Sequence, residues 1–339
     1  MSLDAVRFAL IGCGAIAERH GQALARIEDA DLVAVVDVQE DRARRFAERF
    51  SGGHAVRVMT DYRQALDASD VDAVIVATPS GLHFDVGSDA LDARKHVLME
   101  KPLTLSSAHA RTLLAQAEDN HVFLGTVHPN RYYPTSQMAH QAIGDGRLGR
   151  LSHLVATLRW NRTQQYYDEA PWRKTRAMDG GVLFNQAWHA IDLLLWFAGS
   201  VVSEVKAVSA RRLHDIETED IALATIRFDS GVLGSIEATT NVYPRNLEQT
   251  VSVFGGMGTV VLGGTRPDVV RVWRVAGDDE SVVLSRWGEA NAPKPDASWP
   301  HEQCIRSFLN SVREGHSGVS EEVRTAAETI DLIERVVGG

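Results

Sequence analysis

Two side chains in this sequence have the type and the setting to move a proton. Lys101 ends the run His96-Val97-Leu98-Met99-Glu100-Lys101-Pro102, and His189 lies inside Gly180-Gly181-Val182-Leu183-Phe184-Asn185-Gln186-Ala187-Trp188-His189-Ala190-Ile191-Asp192. A lysine gives up its proton more readily when buried or set beside another cation, and an imidazole titrates near neutrality. Either can therefore act as a general acid or base. The Lys101 run is apolar up to Met99 and is halted by Pro102, which has no N–H to give a ladder. It reads as a buried parallel strand. Ligands of doubly wound sheets lie at the carboxyl ends of such strands, which is where Lys101 falls. Around His189 the residues form two stripes at about 100° per residue. Phe184, Ala187, Trp188, Ile191, Leu195 and Ala198 make a core stripe, and Asn185, His189, Asp192 and Trp196 a second one. An amide, an imidazole and a carboxylate on one line of an apolar helix are costly to bury unpaired, so they must face a cavity or each other.

The elements that would position these groups begin with Arg7-Phe8-Ala9-Leu10-Ile11, a short apolar strand. It runs into Gly12-Cys13-Gly14-Ala15-Ile16-Ala17 and then a helical pattern to about Ile27. This G-x-G-x-x-A arrangement suits a dinucleotide. Gly12 permits the tight turn, Gly14 lets the backbone approach a pyrophosphate, Ala17 allows close helix–strand packing, and the helix N-terminus offers its N–H groups to the phosphates. A second strand, Leu32 to Val36, ends at Asp37, 25 residues after Gly12, where a carboxylate can hold the ribose hydroxyls and repel the extra phosphate of NADP. The strand Asp72 to Ala77 ends in Thr78-Pro79, and a helix follows from about His83 to Ala93. After the Lys101 strand come a helix from about Ser106 to Asp119 and a strand from Val122 to Val127. Gly12, Gly14, Ala15, Ile16, Asp37, Thr78, Pro79, His83, Glu100 and Lys101 are thus the expected cofactor contacts at one sheet edge, and Cys13 reads as a small loop filler.

Beyond Val127 a proline-punctuated crossing, His128 to Pro134, leads to a helix ending near Ile143. Strands then recur: Leu151 to Trp160, Val205 to Ser209, Ile221 to Phe228, Val232 to Thr239, Thr250 to Phe254 and Thr259 to Leu262. With glycine turns between them, they predict an antiparallel or mixed sheet. The polar stretch Gly277 to Pro300 reads as a loop around one more strand, and helices over about Pro300 to Val312 and Ser320 to Val337 close the chain. The expected fold is α/β: a doubly wound Rossmann domain over residues 1–127, then an α+β domain with a large, mostly antiparallel open sheet over 128–339. From Arg159 to Arg176 there are five cations (Arg159, Arg162, Arg173, Lys174, Arg176) against Asp168 and Glu169. Such a basic island before the His189 helix could steer an anionic substrate, with Trp172, Tyr166 and Tyr167 free to stack on a sugar or to anchor the loop.

Length and composition bound the rest. The 339 residues leave room for two domains, and 44% hydrophobic with 24% charged residues is ordinary for a globular protein. A net charge of −10 argues against nonspecific nucleic-acid binding. No apolar run approaches the roughly 20 residues of a membrane span, and Met1-Ser2-Leu3-Asp4 shows no signal-peptide pattern, so a cytoplasmic protein is expected. Cys13 and Cys304 are too few for a disulfide framework, and no ligand spacing for a metal stands out.

The glycine loop, Asp37, Ala77-Thr78-Pro79, His83 and Glu100-Lys101-Pro102 together resemble the glucose–fructose oxidoreductase/inositol dehydrogenase (Gfo/Idh/MocA) family, in order and spacing over the whole first half. The resemblance implies that Lys101 lies beside the nicotinamide and the substrate hydroxyl, with a Lys-Pro bond that is often cis. It extends to the second helix, where the family carries G-G-x-x-x-D-x-x-x-H-x-x-D and its histidine works with the lysine. Asn185 stands here in place of the aspartate, and an amide cannot accept a proton, so His189 acts alone or is oriented by Asn185. Asn185-Gln186, with Tyr166-Tyr167 and Pro171-Trp172-Arg173 upstream, is most similar to members that oxidise the 3-hydroxyl of nucleotide-linked N-acetyl-hexuronic acids. The expected activity is therefore NAD-dependent oxidation of a secondary hydroxyl, with Lys101, His189 and Asn185 catalytic and Arg131, Tyr166, Trp172, Arg173, Gln186 and Asp192 meeting the substrate. Alternatives are an inositol or free-monosaccharide dehydrogenase, a glycoside hydrolase using transient oxidation by NAD, and a non-catalytic NAD-binding regulator. A homodimer or homotetramer is expected, because the helices suffice for one face of the second sheet only.

Overall fold

The computed structural model describes residues 5–264, 267–293 and 296–338, so Met1 to Asp4, where no signal pattern is expected, lie outside the described residues. Two compact units divide the chain: Met1–Pro129 with Asp296–Ala327, and Asn130–Pro295 with Glu328–Gly339.

The first unit opens with β1 (Val6–Ile11), α1 (Ala17–Leu24), β2 (Ala30–Val36), α2 (Glu40–Phe50), β3 (Arg57–Met59), α3 (Tyr62–Leu66), β4 (Ala73–Val76), α4 (His83–Asp92), β5 (His96–Met99), α5 (Ser107–Asp119) and β6 (Phe123–Thr126). The strands lie in the order β3-β2-β1-β4-β5-β6, and every pairing is parallel. β4 and β6 are buried at each position, as a parallel sheet covered on both faces requires. Their apolar runs carry no alternation because neither face meets water.

The second unit holds α6 (Pro134–Gly144), β7 (Leu151–Arg159), α7 (Gln164–Asp168), a π-helix at Val182–Ala187, α8 (Trp188–Ala198), β8 (Val202–Ala210), β9 (Ile221–Phe228), β10 (Leu233–Thr239), β11 (Glu248–Gly255), β12 (Gly258–Gly264), β13 (Val270–Val275) and α9 (Glu280–Trp287). Its sheet runs β13-β12-β11-β7-β10-β9-β8. Only β7 and β10 pair in parallel, so the sheet is mixed and mostly antiparallel. α8 packs on β7 and β11. On the other side Val208, Leu223 and Leu233 are exposed. The strand expected within Gly277 to Pro300 is instead α9, whose first turn is capped by the Asp279 carboxylate accepting from Ser281 N–H. The additional strand, β13, precedes that stretch.

The chain then returns to the first unit through α10 (Trp299–Arg313), β14 (Gly318–Val319) and the start of α11 (Glu321–Val337). β14 pairs in parallel with β6 and extends the first sheet. α10 lies against α1, with Phe308 6.1 Å from the Phe8 ring and 5.6 Å from Phe123. A second domain running unbroken over 128–339 is thus corrected at 296–327. A two-residue strand is too short to leave a periodic signal in sequence. Among the described residues no helix is long and apolar enough to cross a membrane.

Candidate active site

In the first unit the expected residues gather at the carboxyl ends of β1, β2, β4 and β5. Gly12 turns with φ +95°, and a side chain there would meet Ala77 O at 2.6 Å, so only glycine fits. Asp37 is buried; it accepts from Cys13 N–H at 3.0 Å and Gln39 N–H at 2.9 Å, tying the glycine loop to the end of β2. Arg42, which the sequence reading passed over, reaches Asp37 at 3.3 Å. Burial, and then the Asp37 carboxylate, push the Cys13 thiol up to about 12, which keeps it protonated and unreactive.

His83 and Glu100 turn to protein partners at this edge. His83 is buried with Nδ1 2.7 Å from Pro102 O and Nε2 3.0 Å from Thr78 O, so its ring braces the turns after β4 and β5. Glu100 is also buried; Oε1 lies 2.8 Å from His20 Nε2, and Oε2 accepts from Lys101 N–H at 3.0 Å. The Glu100 carboxylate thus joins the His20 ring to the Lys101 main chain. The Lys101–Pro102 bond is cis.

In the second unit the informative stretch is less regular than a straight helix. Residues 182–187 form a π-helix that passes into α8. Phe184, Ala187, Trp188, Ile191 and Leu195 are core, as expected. Between Gly181 and Leu195 only Asn185 and His189 are not fully buried. The polar stripe therefore splits. Asn185 and His189 reach an open side, while Asp192 is buried and forms a two-pronged ion pair with buried Arg131, at 2.6 and 2.9 Å. Arg131 also lies over the Trp196 ring, 5.2 Å from its centroid. That pairing ties the start of the second unit to α8. The wider π turn shifts the phase that a uniform 100° step assumes.

Asn185 donates from Nδ2 to the carboxylate of buried Asp179, a partner that sequence spacing did not reveal. An aspartate at 185 would set two carboxylates against each other, so the amide is matched to its neighbour. Glu219 was missed as well. Its Oε1 accepts from Leu183 N–H at 3.2 Å, and a side chain on Gly181 would collide with it at 2.4 Å. Burial pushes the Glu219 carboxyl up to about 7, against the pull of backbone hydrogen bonds and Arg176. The only sequence signal was a pair of acids, Glu219-Asp220, leading into β9.

The basic island is smaller than its count. Arg159 is taken by Glu237 and Glu248 and Lys174 by Asp168, while the Arg176 guanidinium donates to the Glu217 main-chain carbonyl and the Glu217 carboxylate accepts from Arg176 N–H. Arg162 and Arg173 have no carboxylate partner among the described residues. Arg173 lies 4.2 Å from the Tyr166 ring centroid and 5.6 Å from that of Trp172, and Arg162 5.0 Å from Tyr166 and 4.8 Å from Trp160. Gln186 accepts from Arg162 at 2.7 Å and donates to the Tyr166 hydroxyl at 3.1 Å. Four of the expected substrate residues, Tyr166, Trp172, Arg173 and Gln186, are therefore one assembly.

Comparison with known proteins fits both units. Residues 6–128 match the Gfo/Idh/MocA oxidoreductase family with its NAD-binding Rossmann fold, and residues 136–261 match the Gfo/Idh/MocA C-terminal domain. The chain belongs to the Gfo/Idh/MocA family. It is an NAD-dependent oxidoreductase of a family whose members act on sugars and polyols. The inositol 2-dehydrogenase of Acidothermus cellulolyticus is 30% identical over 302 residues, 86% of this chain and 82% of that one. The WlbA dehydrogenase of Bordetella pertussis, solved with NADH and UDP-GlcNAcA, has TM-score 0.84 and 29% identity, over 98% of this chain and 95% of that one. WlbA from Chromobacterium violaceum, with the same ligands, has TM-score 0.78 and 30% identity, over 94% and 96%.

The Gfo/Idh/MocA residues of this chain suit NAD. A side chain built at Gly14 would meet nothing within 4 Å, which leaves room for a pyrophosphate over the loop. The first turn of α1 has no side-chain cap, so no side chain occupies the positive end of the helix where phosphate would sit. Thr78 Oγ1 is buried at the end of β4 without a protein partner. Asp37, at the end of β2, is the residue that would meet the ribose.

Proposed function

We propose that this enzyme oxidises a secondary hydroxyl of an anionic sugar derivative, with the 3-hydroxyl of a nucleotide-linked N-acetyl-hexuronic acid as the leading substrate. The observation that carries the reading is the Trp172–Arg173–Tyr166–Arg162 stack with Gln186. Two guanidiniums held flat on aromatic rings, with Nε of each lacking a partner, suit a phosphate or carboxylate. The complexes of WlbA with UDP-GlcNAcA support it, since that ligand carries both groups.

NAD, held by the glycine loop, would supply the hydride acceptor. The chain's own groups handle the proton: Lys101 accepts it from the hydroxyl, or polarises the oxygen while His189 accepts it. Asn185, fixed by Asp179, cannot take a proton and instead orients. A panel of nucleotide sugars, inositols and free sugars read by NADH absorbance tests the assignment. UDP-linked N-acetyl-hexuronate should give the highest kcat/KM, and Arg173→Ala should raise its KM. A preference for uncharged polyols would overturn it in favour of inositol oxidation, the reading supported by the Acidothermus relative. The exposed Val208, Leu223 and Leu233 on the uncovered side of the second sheet support a homodimer or homotetramer, and a monomer in light scattering at micromolar concentration would contradict it.

A further inference from the structure

The most deeply buried polar cluster outside the residues assigned so far is His20, Glu100 and His301. All three are nearly inaccessible, at 0%, 4% and 2% exposure, and they come from three separated parts of the first unit: α1, the end of β5, and α10. His20 Nε2 is 2.8 Å from Glu100 Oε1, and His301 Nε2 is 3.7 Å from the same oxygen. The two imidazoles meet edge to face, with centroids 5.3 Å apart. Nδ1 of each ring has no partner; His20 alone stands within hydrogen-bond distance of Glu100, and His301 packs against the His20 ring beside the same oxygen. Three buried polar side chains are costly unless they do something that apolar packing would not.

We infer that His20 and His301 are positioning residues for Lys101: they hold Glu100 as a buried carboxylate, and Glu100 holds the Lys101 main chain and the charge beside it. This rests on the reading of Lys101 as a proton-handling group. One carboxylate oxygen accepts from His20, and the other accepts from Lys101 N–H at 3.0 Å. Glu100 is thereby a link between α1, which carries the glycine loop at its start, and the lysine. Electrostatics agree. Burial alone would push the Glu100 carboxyl up, but the hydrogen bond from His20 and the charges of His20 and Lys101 outweigh it and hold it down at about 2. Burial, and then the charge of His20, push His301 down to about 3, so His301 is a neutral member. The other titratable groups that act on the cluster are His83 from α4, Cys304 from α10 and Arg19 from α1; His83 and Cys304 are themselves buried and disfavoured in their charged forms. His20 is then the donor that keeps the carboxylate charged.

The test reads the lysine directly, without substrate. The chain has five lysines (Lys95, Lys101, Lys174, Lys206 and Lys294), so competitive acetylation of the NAD-free protein, followed by peptide mass spectrometry, gives the reactivity of each. Losing a facing carboxylate lets a lysine release its proton more easily, and a one-unit change is roughly tenfold in rate at a pH below its titration. Glu100→Gln should make Lys101 roughly tenfold more reactive with Lys206 unchanged as the internal standard. His20→Phe should do the same, because Glu100 without its donor takes up a proton. His20→Gln, which keeps a donor, should restore most of the original reactivity. The double change Glu100→Gln with His20→Phe should add nothing to either single. Unchanged Lys101 reactivity in folded His20→Phe, checked by its melting curve, would overturn the inference. So would a stoichiometric divalent metal in the purified protein, since the three ligand-type atoms lie within 4.8 Å of one another. Failure of the catalytic reading looks different: Lys101→Ala would keep its turnover while the reactivity pattern stood.

Discussion

The two units reach their functional side chains by opposite means. In the first, each group sits one or two residues past a buried strand, and a parallel sheet delivers all such residues to one edge. Position along the chain is then position in space. In the second, Asn185 and His189 ride on a helix that begins as a π-helix, and that stretch is held by residues outside its own periodicity: Asp179 on Asn185, Glu219 on Leu183 N–H, and Arg131 on Asp192. A regular scaffold exposes its site to simple reading; an irregular one hides it in phase and in long-range partners.

The comparison is broken most severely at its chemical ends. Lys101→Ala and His189→Ala should each lower kcat/KM by roughly 10²–10⁴-fold, about 3–5 kcal/mol, while calorimetric NAD affinity stays within a few-fold. If the two serve one proton transfer, the double change should cost much less than the product of the singles. Near-full activity in His189→Ala would reduce the second unit to substrate binding alone.

A loss of similar size, but in stability, is expected at the ion pair of the second unit. Asp192→Ala strands the buried Arg131 guanidinium and should lower unfolding free energy by about 3–5 kcal/mol in urea titration. Arg131→Met with Asp192→Leu should cost far less, and equal losses would mean that the pair matters for something other than charge.

What the sequence made legible follows the same division. The glycine loop, Asp37, Thr78 and the Lys101 strand lie where strand spacing put them, and the alternating strands of the second sheet came out with small shifts at their ends. The protein partners of His83 and Glu100 were not legible, because a strand pattern tells where a residue sits and not where its ring or carboxylate turns. The pairing of Asp192 with Arg131 was not legible, because its partner is 61 residues away. Glu219 and Asp179 carried no local pattern at all, and their roles arise only from packing.

Glu219 sharpens the contrast through pH. Its carboxyl is raised in the folded protein, to about 7 from an ordinary 4.5. The stability tied to its neutral form is complete below the unfolded value and disappears as pH rises through about 7. Glu219→Gln should therefore melt close to the parent at pH 5 and above it at pH 8, by on the order of 3 kcal/mol. A difference independent of pH would show that the carboxyl is not titrating there. The smallest effect belongs to the regular unit. Asp37→Ser should narrow the preference for NAD over NADP by about 1–2 kcal/mol, on the scale of one hydrogen bond to a charged group. Arg42 is then free to meet a 2′-phosphate, and adding Arg42→Ala should reverse the gain. Equal binding of both cofactors by the unmodified protein would sink the ribose assignment.

The return of residues 296–327 to the first unit governs the order in which the protein can be made. A ribosome releases the nucleotide half early, yet β6 gains its neighbour β14 only when residue 318 emerges. Phe8 and Phe123 wait as long for Phe308, whose ring lies so close to Gly125 that a side chain there would meet it at 2.9 Å. For most of synthesis the half that binds the cofactor has an open strand edge and a bare aromatic patch, the two features that invite pairing with other chains. A messenger truncated anywhere in the second unit would yield a nucleotide half unfinished at its own seam.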